Sequence, residues 1–449
     1  MSRGQIIQTR EREMRTIVRT GLRATLISAV LVFAQAVGVT AQGEAPKYVP
    51  QTYAIRAGLL IDPVEGRALP DQTLLIEDGV ITEIGARVTV PRGVEVLDLS
   101  DRAVLPGLMD AHVHLMMRVP QGSSVDGWVT ETPMARRALV GVQQARETLL
   151  AGFTTVRDIG NSGNHVDTEL RNAQAAGLIW GPTIITAGMI ITPFGGQSRL
   201  NPERPELGVV EYLYADTPDE MVKAVRKDIH FGAQVIKIVV DDQEYLYTPE
   251  NIRVIVDEAA HSGRKVAAHV LTEQGARNAI EGGVASLEHA WRMSDELLDL
   301  ARERGVSVVT SDFTPSAMHA YPWPDATVAS FRNLLVDRMR RAYAHNVDVV
   351  FGSDLIWGSD QWDRGTWARE QLESFIEAGA TPLQILRSVT TNPARLLDVQ
   401  DRRGRIAKGY AADIIAVEGN PLEDASALMH VSFVMKDGRV AKNVRSGGL

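Results

Sequence analysis

Short apolar runs and segments of helical period alternate along most of the chain. From residue 104 onward, runs rich in β-branched residues occupy 104–115, 154–158, 183–187, 235–240, 265–270, 286–289, 306–311 and 349–354. Segments with apolar residues at helical spacing lie near 133–151, 166–177, 217–231, 249–262, 273–282, 294–305, 327–345 and 366–379. Eight strand–helix units in series predict an α/β fold with a parallel sheet, which most simply closes into a (β/α)8 TIM barrel. An open doubly wound sheet is the alternative, and it is disfavoured because no glycine-rich nucleotide turn follows the first strand.

A different pattern flanks this region at both ends. Short β runs lie at 53–62, 72–81, 94–99, 413–417 and 431–436, and the pairs Asp78-Gly79 and Asp437-Gly438 are typical of tight hairpin turns. Each flank is too small to bury a core alone, so the two are expected to pair into one small β-sandwich beside the barrel. The predicted division is a leader at 1–41, β-sandwich at 42–103, barrel at 104–398 and β-sandwich again at 399–449.

The first forty residues differ from everything that follows. Arginines between residues 10 and 23 precede an apolar stretch at 24–39, and Val39-Thr40-Ala41 supplies small residues suited to cleavage. This pattern indicates a secretory signal peptide cleaved near Ala41, because the apolar stretch is short for a membrane span. We therefore expect a secreted or periplasmic protein with no stable membrane insertion after cleavage.

Composition narrows the chemistry that is open to the chain. The 449 residues carry a formal net charge of −9, which argues against a nucleic-acid or anionic-membrane partner. The sequence has no cysteine, which excludes disulfides, a thiolate metal site and a cysteine nucleophile. Any bound metal must therefore be held by histidine, by a carboxylate or by an oxygen derived from lysine.

Groups that bind metal ions stand at several predicted strand ends. Residues two apart on a strand share a face, so His112 and His114 present two imidazoles side by side. Chemistry in a barrel lies at the carboxyl ends of the strands. Four later strands carry Lys237, His269, His289 and Asp354. Because five separate elements bring such groups to one mouth, the sequence predicts a metal site. Lys237 is the exception, since a protonated ammonium is repelled by metal ions and a lone lysine in an apolar run usually snorkels to water.

The same segments resemble a known family. They are Pro106-Gly107-Leu108-Met109-Asp110-Ala111-His112-Val113-His114, Thr154-Thr155-Val156-Arg157-Asp158, Ile236-Lys237-Ile238, Ala268-His269, Glu288-His289-Ala290, Gly352-Ser353-Asp354, Thr391-Asn392-Pro393-Ala394 and Ala412-Asp413-Ile414. With this set the chain resembles the amidohydrolase superfamily of metal-dependent hydrolases. It is most similar to the prolidase-like and imidazolonepropionase-like branch, which includes bacterial zinc carboxypeptidases and ochratoxin-degrading amidohydrolases.

The resemblance implies a binuclear metal centre. Lys237 would be carboxylated by carbon dioxide on its ε-nitrogen and would bridge two divalent ions, with zinc expected but manganese and cobalt compatible with the ligands. His112, His114 and Asp354 would complete one site, and His269 and His289 the other. The metal ions would activate a water molecule, and Asp354 would act as general base and then as general acid.

The resemblance also implies a substrate class. The expected reaction is cleavage of an amide bond next to a free carboxylate, in small-molecule or peptide substrates such as Xaa-Pro dipeptides or N-acyl amino acids including ochratoxin A. A cyclic amide, imidazolone or lactone is the alternative. A deaminase is disfavoured because Glu273 stands one place late for the His-x-x-Glu pattern that begins at His269. A non-enzymatic scaffold would be expected to have lost ligands. Relatives of this kind often form homo-oligomers, which we also expect here.

Substrate contacts are predicted from the loops after the strands. Gln197 follows Gly195 and Gly196 where relatives of this branch have a histidine, and Tyr245 follows strand four. Arg157 is predicted either to contact a substrate carboxylate or to form an ion pair that fixes its loop. His319 is a further candidate, and aromatic residues in its loop and at Trp357 and Trp362 are expected to line the mouth. His165, after strand two, is expected to be a surface histidine.

Overall fold

The computed structural model describes residues 51–198, 201–318 and 323–444. The predicted signal peptide and His319 lie outside these residues. Within them, no helix is both long enough and apolar enough to cross a membrane.

Strands and helices follow one another much as the apolar pattern predicts. The strands are β1 (Tyr53–Asp62), β2 (Arg67–Glu77), β3 (Val80–Gly85), β4 (Glu95–Pro106), β5 (Leu108–Val113), β6 (Phe153–Asp158), β7 (Thr183–Thr186), β8 (Ile190–Thr192), β9 (Tyr212–Tyr214), β10 (Ile236–Val239), β11 (Val266–Val270), β12 (Ser286–His289), β13 (Ser307–Val309), β14 (Val349–Val350), β15 (Ile414–Val417), β16 (Val431–Lys436) and β17 (Arg439–Asn443). The helices are α1 (Val125–Glu131), α2 (Met134–Leu150), α3 (Val166–Ala175), α4 (Pro218–His230), α5 (Pro249–Ala260), α6 (Glu273–Gly282), α7 (Asp295–Arg304), α8 (Pro315–Met318), α9 (Asp325–Ala344), α10 (Arg364–Glu370), α11 (Glu373–Glu377), α12 (Pro382–Ser388) and α13 (Thr391–Leu396).

The two flanks of the chain meet in one sheet. Its strand order in the described residues is β17-β16-β15-β4-β1-β2-β3, so N-terminal and C-terminal strands pair directly between β4 and β15. Both predicted hairpin turns are present, with positive φ at Asp78 and Asp437 and at the glycine after each. Two successive left-handed residues suit a two-residue hairpin because they match the twist of the strands. Ile55, Leu74, Ile414 and Phe433 pack in a single apolar cluster of this sheet.

The predicted strand at 104–115 is divided between two sheets. β4 ends at Pro106 in the flanking sheet, and β5 begins at Leu108 in another sheet. Gly107 lies between them, and a Cβ atom there would lie 2.2 Å from Oγ1 of Thr154. Only glycine therefore allows this close passage of the chain.

The remaining strands carry the site. In the described residues they form the sheets β5-β6-β7 and β14-β13-β12-β11-β10-β8-β9, with parallel pairing throughout. Backbone hydrogen bonds also run from Ala111 N to the Phe351 oxygen (2.9 Å) and from Gln234 N to the Thr186 oxygen (2.7 Å). All four residues of β10 are buried, as expected where helices cover the outer face of a parallel sheet. The arrangement fits a TIM barrel with a β-sandwich-like sheet.

The predicted helical segment at 366–379 is divided in two, and so is the helical region that follows it. The segment at 366–379 forms α10 and α11, and the segment near 382–397 forms α12 and α13. Pro393 contributes to the second break, since it has no N–H to donate to the oxygen of Val389. That oxygen instead accepts a hydrogen bond from Met109 N at the start of β5 (2.8 Å).

Candidate active site

The six predicted metal ligands lie together at the carboxyl ends of the strands. All six line one cavity of about 310 Å³. They come from β5, β10, β11, β12 and the segment after β14, and they are His112, His114, Lys237, His269, His289 and Asp354. The separate strand ends therefore converge as the alternating pattern predicts.

Three atoms that could bind a metal ion form a small triangle. Nε2 of His112 and Nε2 of His114 are 3.2 Å apart, and they lie 3.3 Å and 3.2 Å from Oδ1 of Asp354. Ligands on a tetrahedral metal with bonds of roughly 2.0–2.1 Å are separated by roughly 3.3–3.4 Å. The triangle therefore has the dimensions of one face of a tetrahedral metal site.

The outer nitrogens of these two histidines are already engaged. Nδ1 of His114 lies 2.8 Å from the Gly160 carbonyl oxygen, which can only accept, so this nitrogen carries the hydrogen. Nδ1 of His112 lies 2.9 Å from Oε2 of Glu288 and donates to that carboxylate. Both Nε2 atoms then direct lone pairs at each other and at the Asp354 carboxylate. Three converging lone pairs repel one another, so the donor set fits a bound divalent cation.

His269 and His289 form the other side of the cavity. Their ring centroids are 4.5 Å apart, and Nδ1 of His289 lies 2.7 Å from Oγ of Ser311. Nε2 of His269 lies 3.5 Å from Oδ2 of Asp242. His112, His289 and Asp354 each offer one ligand atom within 4.8 Å of the others, a spacing that also fits a metal ion.

Left-handed backbone occurs where these strands end. His289, Ala290 and Asp354 have φ values of 70°, 46° and 48°. Such values are uncommon outside glycine and persist only where the surroundings enforce them. They interrupt strand alternation, which allows Glu288 and its neighbour His289 both to approach His112.

The protonation states suit metal binding. Burial lowers the pKa of His114, and burial together with His269 holds the pKa of His289 well below its usual value. Burial opposes ionisation of Asp354, but His112 and His114 outweigh it and hold its pKa well below the usual range. Neutral imidazoles and an ionised carboxylate are the forms that bind metals.

Lys237 does not snorkel to solvent. It is 2% exposed, and burial lowers its pKa to about 8, although Glu288 and Asp354 act in the opposite direction. Among the described residues, no group accepts a hydrogen bond from its Nζ, which faces the cavity side of β10 with the histidines. Burying an unpaired ammonium is costly, so a buried lysine at this position indicates a functional role.

Of the two roles predicted for Arg157, a substrate contact or a structural ion pair, its position fits the structural ion pair. It is 1% exposed and does not line the cavity. Its guanidinium donates to the Ala111 oxygen (2.6 Å), to Oγ of Ser286 (3.2 Å) and to Oε1 of Glu288 (2.7 Å). Burial opposes ionisation of Glu288, but Arg157 and His112 hold its pKa below the usual range. Arg157 therefore keeps Glu288 charged beneath His112.

Of the other predicted substrate contacts, some line the cavity and others do not. Gln197 lines the cavity, where its amide donates to Oδ2 of Asp242 (3.0 Å). Tyr245 is 56% exposed and does not line the cavity. Trp357 and Trp362 line a separate small pocket, so the prediction that they line the mouth is wrong. The loop after strand eight turns away, and Ile356 is its residue in the cavity wall.

The prediction for His165 is also wrong. It is 7% exposed, Nε2 lies 2.9 Å from Oδ1 of Asp228, and its ring packs on Phe231. Its loop folds inward against α4, which a pattern of local polarity does not reveal.

Several residues of the site have no signal in the sequence. The cavity wall includes Asp126, Asn161, Ser198, Tyr212 and Asp242. Glu288 stands beside a predicted ligand in a buried strand, where a carboxylate is rare unless it is paired. The others lie on α1, in loops or on β9, where residue spacing does not predict contact with the cavity.

The pattern of the amidohydrolase family matches residues 103–448. The chain belongs to the amidohydrolase family. It is 30% identical over 426 residues to ochratoxinase from Aspergillus niger, which covers 86% of each chain. A crystal structure of a Xaa-Pro dipeptidase with methionine bound in its active site shares 30% identity, with a TM-score of 0.76 over 87% of this chain and 99% of that one. Imidazolonepropionase from Pyrobaculum arsenaticum is 25% identical, covering 78% of this chain and 87% of that relative.

These likenesses confirm the predicted superfamily and its prolidase-like branch. This amidohydrolase is a hydrolase that acts on amide bonds. The cavity with its six potential ligands at the strand ends offers groups suited to that chemistry.

Proposed function

We propose that this amidohydrolase cleaves an amide bond next to a free carboxylate, using two divalent metal ions, with zinc expected. The triangle of His112 Nε2, His114 Nε2 and Asp354 Oδ1 carries the proposal, because three lone pairs at 3.2–3.3 Å call for a cation. The names of two relatives, an ochratoxinase and a Xaa-Pro dipeptidase, support the substrate class.

The proposed ligands are divided between the two ions. His112, His114 and Asp354 would hold one, and His269 and His289 the other, with carboxylated Lys237 between them. In that modification the neutral Nζ attacks carbon dioxide, an N–C bond forms and one proton leaves to solvent. The product replaces a buried cation with anionic oxygens, which suits a site that must bind two cations. The eight strands are proposed to close into the barrel that brings these groups together.

Bound divalent ions would activate a water molecule and polarise the scissile carbonyl. The chain supplies the proton transfer. Asp354 has its Oδ1 in the triangle, and its Oδ2 lies 3.5 Å from Nδ1 of His289, so the carboxylate spans both sides of the cavity. From there it takes a proton as general base and returns it to the leaving amine as general acid. Gln197, Ser198 and Asn161 line the wall with neutral polar groups suited to a carbonyl or carboxylate oxygen.

Metal analysis and a substrate screen test this function. The purified protein should contain close to two metal equivalents and hydrolyse Xaa-Pro or Xaa-Phe dipeptides or N-acyl amino acids, including ochratoxin A. Activity should disappear on chelation and return with zinc. Turnover only of imidazolones, cyclic amides or lactones would favour the alternative substrate class. A protein that binds no metal would contradict both.

Export and assembly are separate proposals. The signal peptide predicted at 1–41 should be absent from the exported protein, which N-terminal sequencing checks. A homo-oligomer is expected from the family likeness, and light scattering after size exclusion measures it directly. A monomer at micromolar concentration would contradict the assembly proposal.

A further inference from the structure

The loop that follows β6 has an unusual backbone. Five residues between 159 and 165 have positive φ: Gly160 (117°), Asn161 (53°), Gly163 (70°), Asn164 (47°) and His165 (65°). Three of these are not glycine, so the loop is held in a conformation that side chains disfavour. Such strain persists only where the surrounding structure over-determines it, and it often serves a functional site.

This loop carries two groups of the candidate active site. The Gly160 carbonyl accepts a hydrogen bond from Nδ1 of His114 at 2.8 Å, which sets the tautomer and the direction of that imidazole. The next residue, Asn161, lines the cavity. A shift of the loop would therefore move a potential metal ligand and the cavity wall together.

Arg137 on α2 holds the loop from behind. Its side chain is fully buried, and it donates from Nη2 to the Asn161 oxygen and from Nη1 to Oε1 of Glu211 (2.5 Å). Glu211 is 1% exposed and directly precedes β9. The Asn161 carbonyl is one peptide away from the Gly160 carbonyl that binds His114, so Arg137 fixes the peptide adjacent to the one that orients the ligand.

Further contacts leave Arg137 little freedom. A Cβ atom on Gly163 would lie 2.8 Å from Nη1 of Arg137, so the loop is closed tightly over the guanidinium. Asn164 N donates to the Val210 oxygen at 2.8 Å, which ties the loop to the residue before Glu211. Burial raises the pKa of Glu211, while Arg137 and the backbone amide of Gly163 act to lower it.

A buried ion pair is a poor source of stability, because desolvation of both charges offsets their attraction. Arg137 lies outside the cavity and cannot contact a substrate there. Its contacts run to the strained loop and to the strand beside it. Its contacts and its place outside the cavity indicate that Arg137 positions the loop and the strand next to it.

We propose that Arg137, paired with Glu211, is a positioning residue that holds the 159–165 loop so that Gly160 orients His114 for metal binding and Asn161 faces the substrate. The metal-binding part of this inference rests on the proposed function. The geometric part, the hydrogen bond between His114 and Gly160, does not.

The test compares R137M, R137K and E211Q with the wild type, and uses R403M as a matched control. Arg403 forms a largely buried ion pair with Asp413, the residue before β15, and a second ion pair with Asp437, and none of these residues lines the cavity. Zinc affinity of the metal-free protein is measured by competition with a chromophoric chelator, KM and kcat by peptide hydrolysis, and stability by thermal unfolding. R137M should weaken zinc affinity about 10-fold to 100-fold and raise KM. R137K should recover part of the affinity, since lysine keeps the charge and loses the second hydrogen bond.

The control separates positioning from general stability. R403M should lower the unfolding temperature and leave zinc affinity and KM within about twofold of the wild type. Should R137M fail to fold, E211Q carries the test and should weaken zinc affinity about 10-fold. Wild-type zinc affinity and KM in the folded Arg137 or Glu211 variant would overturn the proposal. If the wild type itself binds no metal, the proposed function fails, and a crystal structure of R137M or E211Q then decides the geometric part. Retention of the His114–Gly160 hydrogen bond would overturn it.

Discussion

The two sides of the candidate metal centre differ in how far the protein alone completes them. On one side, His112, His114 and Asp354 place three donor atoms 3.2–3.3 Å apart, and each histidine is anchored by a buried acceptor. On the other, buried Ser311 anchors His289, but His269 lies 3.5 Å from Asp242, whose side chain is 39% exposed. Lys237 there has no hydrogen-bond acceptor among the described residues. The first side is pre-organised by the fold, while completion of the second would depend on the proposed carboxylation of Lys237 and on bound metal ions.

The largest effect is expected at the residue that joins the two sides. D354N removes the proposed proton carrier and one anionic ligand with almost no change in shape. It should lower kcat by about 10³-fold or more, since general acid–base catalysis alone contributes about 10²–10⁴-fold. Steady-state hydrolysis at saturating metal measures this. A variant with kcat within tenfold of the wild type would show that Asp354 has no proton role.

Removal of Lys237 should affect mainly the second side. In K237A, metal content should fall from about two equivalents to about one, and activity should fall by more than about 100-fold because a bridging ligand is gone. Elemental analysis and hydrolysis rates check both numbers. Unchanged activity would contradict the bridging role.

The stability of the metal-free protein provides a test of Lys237 that needs no substrate. Its pKa is about 8 in the folded chain and near 10.5 unfolded, so the unfolded chain binds more protons between these values and stability falls as pH drops from 10.5 through 8. K237M removes the free-energy cost of burying a protonated lysine in the folded chain. In protein freed of metal and carbon dioxide, K237M should therefore be more stable than the wild type at pH 7 by about 3 kcal/mol. The difference should vanish above pH 10.5, as denaturant titrations at both pH values will show. A less stable K237M at pH 7 would contradict it.

A pair of matched variants compares the anchoring of the two sides directly. E288Q weakens the buried acceptor of His112 and should reduce zinc affinity about 10-fold to 100-fold, whereas D242N beside His269 should reduce it less than about 10-fold. The reason is that Glu288 is fully buried and held by Arg157, while Asp242 is partly hydrated. Isothermal titration of the metal-free variants measures both. Equal losses would show that the two sides of the site are anchored equally well.

Much of this architecture is predictable because its causes are local. Strand alternation placed His112 and His114 on one face, and the rule that barrel chemistry lies at strand ends brought Lys237, His269, His289 and Asp354 into one site. Turn chemistry predicted the hairpins at Asp78-Gly79 and Asp437-Gly438. Each of these inferences needs only a few neighbouring residues.

The misses have a common cause in contacts between distant parts of the chain. Glu288 lies 176 residues from the histidine that it anchors, and Arg137 lies 74 residues from Glu211. His165 is buried by α4, and the loop with Trp357 turns away from the cavity. None of these follows from local period or polarity.

By itself, then, the sequence determined the alternation of strands and helices, the family and the six potential ligands, because apolar period and ligand spacing act over short stretches. Only the tertiary structure decided which groups orient those ligands. It placed Glu288 beneath His112, turned Gly160 toward His114 and set Arg137 behind the loop. The physical reason is that a buried donor or acceptor is satisfied by whichever group the folded chain brings within about 3 Å, and that depends on the path of the whole chain.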